Sequence, residues 1–281
     1  MFMTHKKAVI ATCFVAVLWS LAGLNIKLIE WPPFAIAGGR SIVSLLLLTP
    51  TMLKIKGKKL TAPVVLGGIF YAIFCCCFVV STKLTTSAVA IFMQYTAPVY
   101  VAVLSGTFLG ERITKIDIIS IITVFMGMLL FFLDDLGGGS FVGNVVAVFN
   151  GITFAGLAIC LRLQKNAHPI MSVFCGNAIT VIVCLPFVVS AGMPDTNSLF
   201  FLVLLGMQVA ITYTIYGMAS RSLSGLEVVL LPVIDPILNP VWVYLMLGEK
   251  IGPMSILGGI IVLASITGRM IYGMKIAKQA A

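Results

Sequence analysis

RSLSGLEVVLLPVIDPILNPVWVYLMLGEK, residues Arg221–Lys250, is apolar enough to cross a bilayer and carries Asp235 near its middle. It aligns without a gap on Lys83–Arg112, KLTTSAVAIFMQYTAPVYVAVLSGTFLGER, after a shift of 138 positions (221 − 83). The two copies share a proline, a valine and a terminal turn, namely Pro98 and Pro236, Val103 and Val241, and Leu109-Gly110-Glu111 and Leu247-Gly248-Glu249. Their ends also match in charge, so the pattern indicates an internal duplication.

The composition is that of a membrane protein. Of 281 residues, 60% are hydrophobic and only 10% are charged, and the mean hydropathy is +1.14. Soluble domains average about 25% charged residues, so this chain lacks the polar surface that water requires. The net charge of +9 does not indicate a nucleic-acid partner, because the basic residues lie in short loops and not in a patch with an aromatic platform.

Ten apolar runs of roughly 17–23 residues are each long enough to cross a hydrocarbon core of about 30 Å. These spans 1 to 10 lie near 8–26, 34–53, 63–81, 87–109, 117–133, 142–161, 171–190, 199–219, 225–247 and 254–273. They are too long and too uniform for membrane β-strands, which alternate in polarity over about ten residues. An all-α integral membrane fold is therefore predicted.

Span 1 has some features of a cleavable signal peptide, since Lys6-Lys7 precede an apolar stretch that ends in Ser20-Leu21-Ala22. However, Ala22-Gly23-Leu24 has a counterpart in span 6, Ala155-Gly156-Leu157. Removing span 1 would break the repeat, so we expect span 1 to be retained.

Lys and Arg residues in the loops predict the orientation, because they are enriched on the cytoplasmic side. With a cytoplasmic N-terminus, 14 of these residues lie inside, 3 lie outside (Lys27, Lys83 and Lys250), and Arg40 lies within span 2. The acidic turn Asp134-Asp135 falls outside. Both termini are predicted to be cytoplasmic.

Ten spans in two homologous halves give five spans per half. An odd number inserts the second half upside down relative to the first, so we predict inverted five-helix repeats at residues 1–138 and 139–281. Inverted repeats are typical of secondary transporters, which hold substrate near the bilayer midplane between the halves.

The chain resembles the EamA-type exporters of the drug/metabolite transporter superfamily. The resemblance covers essentially the whole chain and is carried by Pro98, Gly110-Glu111-Arg112, Pro236, Gly248-Glu249-Lys250, Trp19 in span 1 and Gly258-Gly259 in span 10. It implies a central cavity lined by spans 1, 3, 4, 6, 8 and 9. It does not imply one substrate, because relatives carry amino acids, sugars, vitamins, amines or other metabolites.

Asp235 is the leading candidate for a functional residue. It lies ten residues into span 9, about 15 Å deep at 1.5 Å per residue, and such carboxylates usually face a cavity or a partner. Two functional roles fit, namely binding a substrate amine or taking up a proton during transport. The structural alternative is a hydrogen bond or an ion pair that holds spans together.

Other charged residues near the membrane leave alternatives open. Arg40, about 9 Å below the outer boundary, is expected to snorkel to water or lipid phosphate, to pair with Asp235, or to bind a substrate carboxylate. Glu227 lies close enough to the cytoplasm to reach water or Arg221. Glu111 and Glu249 are expected to cap turns and to pair with the neighbouring Arg112 and Lys250.

Pro98 and Pro236 lie within predicted spans, where a proline removes a backbone hydrogen bond and kinks the helix. We expect them to act as gating hinges, with simple kinked packing as the alternative. The small residues of span 10, with Gly127 in span 5, predict close helix contact and a scaffold role.

Polar and aromatic residues within spans favour the bundle interior, where they either bind substrate or join helices. The substrate-binding candidates beside Asp235 are Trp19, Asn25, Tyr71, Gln94, Tyr95, Asn150, Gln208, Tyr213 and Asn239, with Ser20 and Thr153 as further polar candidates. Aromatic rings next to a carboxylate suit an ammonium group through cation–π contact.

Several functions are excluded or disfavoured. The sequence has no HExxH, GxSxG or Walker motif, and its two histidines, His5 and His168, lie outside the spans. The seven cysteines show no CxxC spacing. We expect no enzyme activity, no cofactor, no metal and no nucleic-acid partner.

The predicted function is a multi-pass secondary transporter of the inner or plasma membrane that exports amino acids or related small metabolites. One alternative is an importer of an amine, a vitamin or another small metabolite, and another is a membrane scaffold or receptor without transport. Partners are the substrate and membrane lipid. The substrate, the direction, coupling to protons or another ion, the oligomeric state and the role of Arg40 stay open.

Overall fold

The protein, as a computed structural model, is a bundle of α-helices, and the structure describes residues 3–55, 60–108, 114–133, 141–164, 170–219, 222 and 231–279. The described α-helices are α1 His5–Ser20, α2 Ala22–Leu28, α3 Pro33–Lys54, α4 Ala62–Leu84, α5 Ser87–Gln94, α6 Ala97–Phe108, α7 Lys115–Leu133, α8 Phe141–Leu163, α9 Ile170–Ala191, α10 Thr196–Ala219, α11 Ile234–Leu247 and α12 Pro253–Gln279. A 3₁₀ turn, Leu231–Val233, precedes α11. A helix satisfies its backbone hydrogen bonds within one segment, which suits a chain whose surroundings in a bilayer offer no hydrogen-bond partners.

Within these described ranges, six helical segments are long and apolar enough to cross a membrane. They are His5–Leu28, Pro33–Lys54, Ala62–Leu84, Phe141–Leu161, Ile170–Ala191 and Thr196–Tyr216. Shorter apolar helical segments occupy Ser87–Val101, Leu231–Leu247 and Pro253–Arg269. Large apolar side chains such as Leu46 and Ile182 are about 70% exposed on the outside of the bundle, where a bilayer would cover them.

Three predicted spans are not continuous α-helices. Span 1 is divided at Leu21, between α1 and α2, and span 4 is divided at Tyr95 and Thr96, between α5 and α6. The described part of span 9 begins with the 3₁₀ turn and continues as α11. Each break places polar backbone groups at membrane depth, which is tolerated only beside other protein groups or a cavity.

The sequence predicted that the two duplicated prolines kink continuous helices, and this is wrong, because each proline lies in the first turn of a helix. Pro98 is the second residue of α6 and Pro236 is the third residue of α11. A proline costs little in a first turn, where the backbone N–H has no partner within the helix. The interruption therefore precedes each proline.

Counterpart helices of the two repeats pack against each other and run antiparallel. The Phe34 ring in α3 stacks on Phe187 in α9 at 5.0 Å between centroids. At the other ends of the same helices, Met52 and Met171 belong to one apolar cluster.

Helices α7 and α12, which correspond to spans 5 and 10, show the same arrangement. Asp117 contacts Arg269 at 2.7 Å near one end, and the hydroxyl of Ser120 lies 3.0 Å from that of Ser265. Farther along, Gly127 faces Gly258. The predicted scaffold pair therefore packs closely through its glycines.

Glycine at position 258 is required by this contact. A Cβ atom added at Gly258 would lie 2.6 Å from the backbone carbonyl oxygen of Gly127, whereas a Cβ at Gly268, in the same helix, would meet nothing within 4 Å. The contact is made by backbone and not by the end of a flexible side chain, so α7 and α12 would have to separate.

We therefore predict that Gly258→Ala destabilises the protein by about 1–3 kcal/mol, the usual cost of overpacking. Gly268→Ala is the matched control and should be neutral or stabilising by up to about 1 kcal/mol, because alanine favours helix more than glycine does. Thermal unfolding of both purified variants in detergent measures the difference. Equal melting temperatures for the two variants would contradict the close contact.

Candidate functional site

One cavity of about 600 Å³ lies at the centre of the described helices. Its wall is made by α1, the start of α2, α3, α4, α5, α6 and the junction between them, α8, α10 and α12, together with the 3₁₀ turn and the start of α11. This volume is in the range of small-molecule binding sites.

Most of the residues predicted to bind substrate lie in the wall of this cavity. These are Asp235, Trp19, Tyr71, Gln94, Tyr95, Gln208 and Tyr213, joined by Pro98 from the predicted hinges. Asn25, Asn150, Asn239 and Pro236 are not in the wall. Their predicted roles in substrate binding or gating would therefore have to be indirect in this conformation.

Two of these asparagines do not line the cavity but donate hydrogen bonds to glutamines that do. The Asn25 side-chain amide donates to the Gln208 side-chain oxygen at 3.4 Å, and the Asn150 amide donates to the Gln94 side-chain oxygen at 3.5 Å. The Gln208 amide in turn donates to the carbonyl of Leu18, at the end of α1, at 2.6 Å. These bonds orient polar groups toward the cavity and join helices from both repeats.

The two further polar candidates, Ser20 and Thr153, also form hydrogen bonds within the protein. The hydroxyl of Ser20 accepts a hydrogen bond from the Trp242 indole at 2.9 Å. The hydroxyl of Thr153 donates to the backbone carbonyls of Phe149 and Asn150. Both side chains join or stabilise helices in this conformation.

Asp235 is almost fully buried, with 3% of its surface exposed. The hydroxyl of Tyr95 lies 3.2 Å from its Oδ2 atom and 2.9 Å from the carbonyl oxygen of Pro232. Its Oδ1 atom is buried and has no hydrogen-bond partner among the described residues. An unpartnered polar atom in such a place is costly, and its position in a cavity wall makes it a candidate ligand-binding group.

Asp235 and its repeat counterpart face the same cavity. The shift of 138 positions pairs Gln94 with Pro232, Tyr95 with Val233 and Ala97 with Asp235, and all six line the wall. The two helix breaks therefore meet at the cavity, where Tyr95 from one repeat bonds to Pro232 of the other.

Aromatic rings form a continuous side of the cavity. The Trp19 ring contacts Tyr213 and Tyr216 at centroid distances of 5.8 and 5.2 Å, and Tyr213 contacts Tyr71 edge-on at 5.8 Å. The Trp19 indole donates to the Thr212 hydroxyl at 2.8 Å, which fixes its orientation. Such rings present negative faces that attract cations.

Arg40 also lines the cavity, and in this structure it makes neither of two contacts considered for it, the one with water or lipid phosphate at the outer boundary and the one with Asp235. The residue is only 5% exposed, so its side chain does not reach the outer surface. The structure records no ion pair within 4.0 Å between it and Asp235; its guanidinium instead donates to the carbonyl of Cys75 at 3.4 Å. Direct contact with a ligand is the role that stays open.

The cavity extends toward one end of the bundle, which we call the wide end. It is lined there by Leu161 near the end of α8, Tyr216 near the end of α10, and Arg269. Arg269 is neutralised by Asp117, because its Nε atom lies 2.7 Å from the carboxylate.

The opposite end is closed by polar contacts, which we call the closed-end cluster: Lys27, Thr85, Ser87, Asn144, Asn239 and Glu249. The Lys27 ammonium lies 2.8 Å from the Glu249 carboxylate and donates to the Thr85 carbonyl at 2.8 Å. Thr85 also donates to Asn144 at 2.6 Å. The cluster thus connects α2, α8 and the turn after α11 to the junction of α4 and α5.

Glu249 and Asn239 contribute the remaining bonds of the closed-end cluster. Glu249 accepts from the backbone N–H of Ser87 at 2.7 Å, at the start of α5, and Asn239 accepts from the Ser87 hydroxyl at 2.6 Å. Gly23 permits this approach, because a Cβ there would lie 2.0 Å from the Ser87 hydroxyl. The ends of spans 1, 4 and 9 are therefore joined.

The ion pair of Glu249 corrects one sequence expectation. Its partner is Lys27, more than 200 positions away, and not the adjacent Lys250. The capping prediction is right in kind, but the helix that Glu249 caps is α5 and not its own. Glu227 and the Gly110-Glu111-Arg112 turn lie outside the described residues.

Sequence reasoning missed Tyr216, Phe74, Phe78 and Phe154 as wall residues. Tyr216 had a usable signal, because it follows Tyr213 by three positions and so lies on the same helix face. The phenylalanines had none, since phenylalanine occurs throughout the apolar runs.

A model of the EamA-like transporter family matches the chain twice, over residues 6–133 and 141–270. Among solved structures, a protein crystal structure has a TM-score of 0.64 at 15% sequence identity, and the match covers 94% of this chain and 98% of the other. At that identity the likeness concerns the fold alone. A search of curated protein sequences gave no match.

The closed-end cluster gives a prediction for stability. Lys27→Gln and Glu249→Gln should each lower the melting temperature, and the double variant should melt close to either single variant, because contacting residues are not additive. Lys250→Gln is the matched control and should leave it unchanged. Thermal unfolding of the four variants tests this, and strictly additive losses would contradict the ion pair.

Proposed function

The chain belongs to the EamA-like transporter family, and we propose that it is a secondary transporter that exports amino acids or related small metabolites by alternating access. The family makes it a multi-pass membrane transporter. The observation that carries the rest of the proposal is the buried carboxylate of Asp235, with an unpartnered oxygen, in the wall of a central cavity.

The cavity suits a substrate with an ammonium group. Asp235 supplies the negative charge, and Trp19, Tyr213 and Tyr216 supply aromatic faces in the same wall. A cation gains most from aromatic faces where it is removed from water. An amine or amino acid therefore fits this wall better than a sugar, whose hydroxyl groups require neither feature.

The packing supports an inverted repeat of five and five helices. The counterpart helices α3 and α9 run antiparallel, as do α7 and α12. A two-fold axis in the membrane plane produces this arrangement, whereas an axis along the membrane normal would leave counterparts parallel. Such repeats exchange conformations when one half of the bundle moves against the other.

The charge distribution supports a location in the inner or plasma membrane with both termini in the cytoplasm. In that orientation the wide end of the cavity faces the cytoplasm and the closed-end cluster faces outside. An exporter loads its substrate in this conformation. Release then requires the closed-end cluster to open.

Proton exchange is a second role that fits Asp235. A carboxyl group that alternates between a buried and a wetted state gains and loses a proton at different energies, which couples transport to a pH gradient. The charged and titratable groups that share its cavity are Arg40, Arg269, Cys75 and the tyrosines of the wall. The sequence contains no Walker motif to supply energy from ATP.

The competing functions predict different measurements. An importer would accumulate substrate in vesicles of the opposite orientation, and a scaffold or receptor would show no flux at all. A thermal-shift screen of amino acids, amines, vitamins and sugars on the purified protein identifies the substrate for either assay, because binding to the native state raises the melting point.

We predict that Asp235→Asn abolishes substrate binding or proton-coupled flux and leaves the protein folded. Asparagine has nearly the same shape and keeps a hydrogen-bond acceptor for Tyr95, but it neither carries a charge nor exchanges a proton. Efflux of a substrate from the screen is measured in proteoliposomes at several pH values. Thermal unfolding of the same sample verifies the fold.

Asp195→Asn is the matched control for this experiment. Asp195 precedes α10 and accepts hydrogen bonds from the backbone N–H groups of Asn197 and Ser198. A hydrogen bond from the Ser198 side chain, together with those backbone bonds, lowers the pKa of its carboxyl group, and asparagine is an equally good helix cap. This control should transport as the wild type does. Wild-type flux and pH dependence in Asp235→Asn would refute the role of Asp235.

A further inference from the structure

Arg40 is a buried cation without an acidic partner in the wall of the cavity. The residue is 5% exposed, and its Nη2 atom donates to the Cys75 carbonyl at 3.4 Å. The Cys75 side chain is its other hydrogen-bonding neighbour among the described residues. A guanidinium has five N–H donors, so these two groups of one residue leave most of the donors without a protein acceptor.

Burying a cation in this way is costly unless something compensates its charge. Of the charged groups in the wall, Arg269 already pairs with Asp117, and Asp235 is not within ion-pair distance of Arg40. An arginine held unpaired in a cavity large enough for a small molecule is placed to bind an anion that enters with the ligand. A planar fork of donors matches a carboxylate in particular.

We propose that Arg40 forms the anion-binding half of the substrate site, so that the cavity takes a zwitterion whose carboxylate meets Arg40 and whose ammonium group meets Asp235. This inference rests on the proposed function and narrows its substrate to a molecule with both charges. It distinguishes free amino acids from amines, and from acids without an amino group.

Both groups face one ligand-sized space. Arg40 lies in the part of α3 nearer the closed end, and Asp235 lies at the start of α11, so the two groups line the same cavity of about 600 Å³ from different helices. A zwitterion bound between them would make charge-assisted hydrogen bonds at both of its ends. Tyr213 lies in the same wall.

The bound charges also balance. An empty cavity contains one unpaired cation and one buried carboxylate, while Arg269 is compensated by Asp117. A zwitterion compensates both unpaired groups at once. A simple amine leaves Arg40 uncompensated and therefore binds more weakly by the cost of that buried charge. A simple acid leaves Asp235 without a cation, so Asp235 must take up a proton and contributes no ion pair to binding.

The test measures binding of three matched probes to purified protein in detergent by calorimetry. The probes are a free amino acid found in a thermal-shift screen of the twenty, its decarboxylated amine and its N-acetyl derivative. Arg40→Gln should weaken binding of the amino acid at least about 30-fold, the loss expected when one partner of a buried charge pair is removed. The affinity for the amine should stay unchanged, and Arg40→Lys should restore part of the loss, since lysine keeps the charge without the fork.

If Arg40 serves the ligand and not the fold, removing its uncompensated buried charge should not destabilise the empty protein. Arg40→Met should then melt at or above the wild-type temperature while losing the amino acid, whereas a structural role predicts a lower melting temperature. A lower melting temperature for Arg40→Met, or equal weakening of amino acid and amine in Arg40→Gln, would overturn the proposal.

The same measurements separate this inference from the proposed function. If the wild type binds the amino acid and its amine with equal affinity, the anion subsite is refuted, and the remaining hypothesis is a transporter of amines. If the amino acid binds tightly in an Arg40-dependent way but shows no flux in proteoliposomes, the subsite is supported and the transport function is refuted. Failure of all twenty amino acids to bind overturns the zwitterion assignment, while flux of another metabolite would still support transport.

Discussion

The cost of placing polar groups in hydrocarbon organises this structure. A helix satisfies its own backbone, but a charged side chain or a broken helix within the membrane needs other protein groups or water. Here the breaks at Tyr95-Thr96 and before α11 turn toward each other and toward Asp235. The polar backbone at these breaks and the Asp235 carboxylate all lie at the central cavity, because its wall provides polar partners and its volume has room for water or a ligand.

The duplication explains why the cavity is shared but not symmetric. Positions 94, 95 and 97 of one repeat and 232, 233 and 235 of the other line the same wall. The backbone breaks are common to both repeats, whereas the side chains differ: Ala97 stands where the second repeat has Asp235, and Tyr95 where it has Val233. The duplication thus supplies two equivalent helix breaks at the cavity, and only the break of the second repeat carries a carboxylate.

Sequence patterns anticipated the features that depend on local chemistry. The length and apolarity of the runs, the duplicated motif and the depth of Asp235 are all properties of single segments. The cavity position of Trp19, Tyr71 and Gln208 followed from the general preference of polar and aromatic groups for a bundle interior. Asn25 and Asn150 show the limit of that rule, since both lie inside the bundle but one layer behind the wall. These helices are apolar on nearly every side, so no polar stripe marks which face turns toward the cavity.

Features that depend on partners from distant segments were not readable. Glu249 was assigned to its neighbour Lys250 because adjacency is all that a single sequence offers, whereas packing of span 1 against span 9 brings Lys27 to it. Arg40 had three roles of similar plausibility because each required knowing what surrounds its guanidinium. The structure shows a long cationic side chain that is buried, lines the central cavity and makes no ion pair with Asp235. Its proposed contact with a substrate carboxylate rests on these surroundings, which no single segment of sequence describes.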